Sequence, residues 1–175
     1  MKRNRKLIRN SVLIAIFLFF IYYFGGYYLS KEQCILETMR GLYANESEKI
    51  LELENGNRSF TLMADEDEKT YSLIGTRKIG FLYRTASSSV GITIREENKI
   101  HISGLYNSDS GMVITVYRND PSICKIEAAL ESGETVTFDE WIGNFSGLVL
   151  DTGDFYNGIY KAYDTDNQLI EEVSY

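Results

Sequence analysis

One stretch near the start limits what this chain can become. Asn10 to Ser30 reads NSVLIAIFLFFIYYFGGYYLS and carries no charge, and its centre, Val12 to Phe24, is apolar throughout. A helix apolar on every side cannot lie on the surface of a globular domain and needs a nonaqueous surround. At 1.5 Å per helical residue the run reaches about 30 Å, the thickness of a bilayer's hydrocarbon core. The sequence therefore predicts a transmembrane helix over 10–30.

The flanks of the run are unequal. Lys2, Arg3, Arg5, Lys6 and Arg9 precede it, while Lys31 and Glu32 follow it and nearly cancel. An excess of Lys and Arg marks the cytoplasmic side, so residues 1–9 are expected inside as a basic tail and the rest outside. Tyr22, Tyr23, Tyr27 and Tyr28 gather toward the outer end, where a phenol keeps its ring in lipid and its hydroxyl in water. A cleaved signal peptide has a shorter apolar region and a small-residue site such as Ala-x-Ala. This run is longer and bulky Tyr27-Tyr28 follows Gly25-Gly26, so the reading is a signal-anchor.

Beyond the anchor about 145 residues remain, enough for one domain or two small ones. The chain has 18 Lys+Arg and 25 Asp+Glu. With five of the bases in 1–9, the remainder holds 13 against 25, a balance of −12. Such a domain is expected to repel nucleic acid, anionic headgroups and anionic wall polymers, with solubility as the plain purpose of the charge. Cys34 and Cys124 are the two cysteines. Outside the cell a bridge between them is permitted, and two unpaired thiols acting as small hydrophobes is the alternative.

Ser30-x-x-Gln33 has the form of a capping box, and Ile35, Met39, Leu42 and Tyr43 fall on one helical face. A short capped helix is expected from Ser30 to about Tyr43. From Glu48 the period becomes two. Ile50, Leu51 and Leu53 lead into Asn55-Gly56-Asn57 and then Phe60 and Leu62, a hairpin pattern. Asp65-Glu66-Asp67-Glu68 forms an acidic tip. Strands are expected at Tyr71–Ile74, Ile79–Tyr83 and Val90–Ile94, giving a helix plus antiparallel sheet over 31–97. Glu96-Glu97-Asn98 marks a boundary. Seven strand-like segments follow over 98–175, at Ile100–Tyr106, Met112–Tyr117, Ile123–Leu130, Thr135–Phe138, Leu148–Leu150, Ile159–Tyr163 and Leu169–Val173. Their spacing suggests a β-sandwich. The class expected is mainly β (α+β), in one or two small lobes.

Gly158-Ile-Tyr-Lys-Ala-Tyr-Asp164-Thr-Asp166-Asn167 resembles the last hairpin of bacterial surface Ig-like domains, although no glycine stands at its tip. The whole plan, with a basic tail, one span, a capped helix and a β-rich ectodomain, resembles small membrane-anchored proteins of low-GC Gram-positive bacteria. That resemblance implies an envelope location and no particular activity.

Catalytic motifs are fragmentary. Leu150-Asp151-Thr152-Gly153 resembles an aspartic-protease loop, but Asp154 stands where those loops have a small residue. Ser122-Ile-Cys-Lys125 fits Ser-x-x-Lys on an expected strand, where positions i and i+3 face opposite ways. His101, the sole histidine, alternates with Ile100 and Ile102 and is expected to face solvent. Asp164-Thr-Asp166-Asn167 lacks the glycine and glutamate of an EF-hand. No catalytic residue, cofactor or metal is expected. Trp141 and Phe145, in a Gly-containing stretch, are the preferred surface anchors for a partner. The sequence thus suggests a non-enzymatic interaction module for another envelope or membrane protein. An envelope hydrolase using carboxylates and a sensor or inhibitor of an adjacent membrane enzyme are the alternatives.

Overall fold

The computed structural model describes residues 2–42, 47–65, 69–107, 111–150 and 157–175. Strands hold 55% of the chain and helices 19%, so the class is mainly β. The first helix, α1 (Lys2–Phe24), contains a window, Lys6–Tyr23, long and apolar enough to cross a membrane, with none of it buried against the protein.

The helix stops earlier than the charge-free run. At Gly25-Gly26 the backbone turns, Gly26 taking φ +62°, and the chain enters a two-residue strand, β1 (Tyr27–Tyr28). A side chain at Gly25 would meet the Ile21 carbonyl oxygen at 2.5 Å, so the close turn requires glycine there. The expected span of 10–30 is thereby corrected: residues 27–28 belong to a sheet. Ser30 then caps α2 (Lys31–Gly41), its Oγ accepting from the Gln33 amide nitrogen at 3.1 Å. The Gln33 side chain does not close the capping box. It donates to the Tyr22 hydroxyl at 2.6 Å and ties α2 to α1.

Five strands form sheet A in the order β1-β5-β4-β3-β2, from β1, β2 (Glu48–Asn55), β3 (Arg58–Ala64), β4 (Thr70–Ile79) and β5 (Leu82–Thr93). Asn55 pairs with Arg58, so Gly56-Asn57 is the two-residue turn, with Gly56 at φ +63° in its first place. Ile79 to Tyr83 is not a strand. Gly80, at φ +63°, and Phe81 make the turn between β4 and β5.

Sheet B has the order β10-β7-β6, from β6 (Ile100–Asn107), β7 (Gly111–Arg118) and β10 (Phe145–Leu150). Sheet C has the order β12-β11-β8-β9, from β8 (Lys125–Leu130), β9 (Thr135–Phe138), β11 (Gly158–Tyr163) and β12 (Leu169–Ser174). All the strand pairs are antiparallel.

Sheet B is the middle layer. Ile100, Ile102, Met112, Ile114 and Val116 pack on Ile126, Ala128, Phe138, Tyr160 and Ala162 of sheet C. From its other face Leu105, Val113, Tyr117 and Phe145 pack on Phe60, Leu62, Tyr71 and Leu73 of sheet A. Helix α2 covers the far side of sheet A through Ile35, Met39, Ile74 and Met63. The layers run α2, A, B, C. Sheet A is complete before residue 98 and sheets B and C are built after it, yet a continuous apolar interface joins A to B.

Candidate functional site

The structure draws the residues singled out by the sequence into the fold's own packing. Phe145 is wholly buried, its ring 4.7 Å from Tyr117 and 5.5 Å from Tyr71, and so is a core residue rather than a surface anchor. Its Gly-containing neighbourhood suggested a loop, but Phe145 opens β10 opposite Tyr117. Trp141 is half-buried. Its indole donates to the Cys124 carbonyl at 2.8 Å, and Arg118 lies over its ring at 4.4 Å.

The two cysteines are free, and the permitted bridge does not form. Cys34 lies in α2 and Cys124 leads into sheet C, with sheets A and B between them. Stacked sheets stand about 10 Å apart, whereas a disulfide needs Cα atoms within about 7 Å. Burial raises the Cys34 thiol pKa, partly offset by Thr85, whose Oγ1 lies 3.4 Å from the sulfur, so the group is a packed thiol and a poor nucleophile.

His101 is half-buried rather than turned to open solvent. Its side of β6 is the face that meets sheet A. The ring stands edge-on to Tyr71, with Nδ1 3.4 Å from the Tyr71 hydroxyl. That hydroxyl donates to Ser103 Oγ at 2.6 Å, and Ser103 Oγ lies 2.9 Å from Thr115 Oγ1. Burial lowers the histidine pKa, and the charge of Arg95 lowers it further. The result is a neutral imidazole at the end of a hydroxyl chain that stitches A to B.

The other motifs take structural parts. Ser122 binds Asp120, with Oγ 2.6 Å from Oδ1, while Lys125 pairs with Glu127 at 3.0 Å. Asp164 Oδ1 accepts from the backbone nitrogens of Asp166 and Gln168 at 2.9 and 2.8 Å, closing the β11–β12 turn on itself. Asn167, at φ 58°, takes the left-handed position that a tip glycine would otherwise fill. Asp151 and its neighbours to Tyr156 lie outside the described residues, as do Tyr43 and Glu66–Glu68. Among the described residues, no group of three or more His, Cys, Asp or Glu could hold a metal.

Compared with protein-family models, curated proteins and solved structures, the chain matches none.

What the fold leaves open is a groove. Ile35, Leu36 and Met39 of α2 form one wall, and Lys49 of β2 with Thr61 and Met63 of β3 forms the other, enclosing about 370 Å³. Glu32 and Lys49 place opposite charges at its rim. Thr61 Oγ1 is buried and has no hydrogen-bond partner, although most buried hydroxyls have one. The groove can therefore take an apolar group and satisfy one polar atom at its floor. Leu36 was its sequence signal. It lies beside the Ile35–Met39 stripe, stays half-exposed, and makes the helix's apolar face wider than packing on sheet A needs.

Proposed function

We propose that this chain is a single-pass membrane protein with residues 1–9 in the cytoplasm and its β-domain outside the cell. The β-domain is a non-enzymatic interaction module whose groove beside α2 takes an apolar segment of another envelope or membrane protein. The observation that carries the interaction reading is the groove itself: a lined apolar hollow with one orphaned buried hydroxyl, which a ligand's polar atom would satisfy. Support for the anchor comes from α1, whose window Lys6–Tyr23 has no residue buried against the protein and can be covered by lipid.

Photo-cross-linking from Leu36 on intact cells, followed by purification of the full-length protein and mass spectrometry, tests this. One reproducible partner is expected. It should be lost with Met63→Glu and kept when α1 is exchanged for an unrelated span. A partner that survives Met63→Glu places recognition elsewhere, and loss on exchanging α1 favours a sensor acting through the membrane. Orientation is read by a membrane-impermeant lysine reagent, which should label the domain on intact cells.

A further inference from the structure

The turn between β4 and β5 has an unusual composition for a hairpin tip. Ile79, Phe81 and Leu82 surround Gly80, and Phe81 is 64% exposed. The tip does not point into open solvent away from the anchor. Phe81 and Leu82 share an apolar cleft of about 330 Å³ with Ala15, Leu18, Phe19 and Tyr22 of α1 and with Leu29. Leu18 lies six residues before the end of α1, about 9 Å back along the helix axis. The tip therefore stands beside the anchor, at a depth that lipid occupies if the anchor spans.

The charge-free part of α1 is shorter than the helix as a whole. From Asn10 to Phe24 the charge-free helical run is fifteen residues, about 22 Å long, against a hydrocarbon core of about 30 Å. A short span pulls its flanking segments toward the apolar phase.

Above the tip lies a row of cations. Arg84, Arg77 and Arg58 pair directly across β5, β4 and β3, which puts the three guanidinium groups on one face of sheet A. The row ends at Tyr27, which pairs with Arg84 and whose ring lies 5.8 Å from its guanidinium carbon. Arg77 and Arg84 are each a few residues from Phe81, about 10 Å along their strands, which is headgroup height.

We propose that the β4–β5 turn is a second membrane contact: Ile79, Phe81 and Leu82 enter the hydrocarbon beside α1, while Arg58, Arg77 and Arg84 meet anionic phospholipid headgroups. The inference rests on α1 spanning the bilayer, and the test separates the two.

The full-length chain is reconstituted in vesicles of phosphatidylcholine and phosphatidylglycerol in equal parts, with brominated acyl chains that quench indole on contact. Phe17→Trp reports the anchor, Phe81→Trp the turn, and Thr93→Trp the opposite end of β5. Each is read as the difference from the wild-type chain, which holds one tryptophan. The expected result is loss of most of the added emission for F17W and F81W and none for T93W. Quenching of F17W without F81W overturns the second contact and leaves the anchor standing. No quenching of F17W overturns the anchor and the proposal together. Quenching of T93W overturns the proposal by showing that the domain is embedded as a whole. In phosphatidylcholine alone F81W should be quenched less, and R77Q/R84Q should remove that difference between lipids. Equal quenching in both lipids overturns the part given to the arginines.

Discussion

The two faces of sheet B solve the same packing problem differently. Toward sheet C the buried residues are mostly hydrocarbon: Ile100, Ile102, Met112, Ile114 and Val116 against Ile126, Ala128, Phe138 and Ala162, with Tyr160 the one hydroxyl-bearing side chain among the buried residues of that cluster. Toward sheet A the apolar contact is interrupted by Tyr71, His101, Ser103 and Thr115, joined by hydrogen bonds. A dry interface tolerates small slips, because dispersion and burial have little direction. A buried hydroxyl chain does not, because each group it leaves unpaired costs about 1–3 kcal/mol. The B–C face supplies cohesion, and the A–B face fixes register between the sheet that follows α1 and the rest of the domain.

Large-to-small substitutions should break this contrast most visibly. Ile114→Ala, on the C side, should lose about 2–5 kcal/mol and Phe145→Ala, on the A side, about 3–5 kcal/mol, read from urea midpoints. Hydrogen exchange should separate them. F145A is expected to expose the amides of sheet A while sheet C stays protected, and I114A to expose both. Uniform loss in both variants would make the domain one cooperative unit and erase the distinction. Ser103→Ala should cost about 1 kcal/mol, since it removes the hydroxyl that links Tyr71 to Thr115. Adding Thr115→Val should cost less than the sum of the single changes, because the two sites share one network. Gly147→Ala should cost about 1–3 kcal/mol as overpacking, since the new methyl lies 3.1 Å from the Ile114 carbonyl oxygen and 3.2 Å from Leu53.

The smallest effect is a pH dependence. The pKa of His101 in the fold lies below its unfolded value, so the unfolded chain binds more protons as pH falls. Stability is then full above the unfolded pKa of about 6.5 and declines as the pH drops below it. His101→Gln should flatten that slope in thermal melts between neutral and mildly acid pH. An unchanged slope would assign the acid sensitivity to other groups.

The sequence carried the elements further than their arrangement. Gly56 and the alternation around it announced the β2–β3 hairpin, and Ser30 announced the start of α2. The turn at Gly80-Phe81 was hidden because Ile79, Phe81 and Leu82 are apolar and read as strand. The layering was hidden for a related reason. His101 alternates with Ile100 and Ile102, which shows that the two faces of β6 differ but not what covers the second one. The Met112–Tyr117 run, interrupted only by Thr115, was the available clue, since a strand buried on both faces has no charged side to show. Phe145 was misplaced because its short neighbours Gly143 and Asn144 suggested a loop, whereas the residue itself begins a strand. The groove beside α2 depends on residues distant in sequence, and only Leu36 hinted at it.

Among the described residues no linker separates α1 from the β-domain. Tyr27 and Tyr28 pair with Arg84 and Tyr83 immediately after the helix ends, and Gln33 holds Tyr22. The domain therefore cannot swing about α1 as if on a tether. Met63, in the groove, stands five residues along β3 from Arg58, about 17 Å along the strand. On the reading proposed above, in which α1 spans a bilayer, that distance would act as a ruler: a partner in the same membrane would have to carry its apolar segment at that height, and one carrying it elsewhere would be rejected by reach before any side chain is compared.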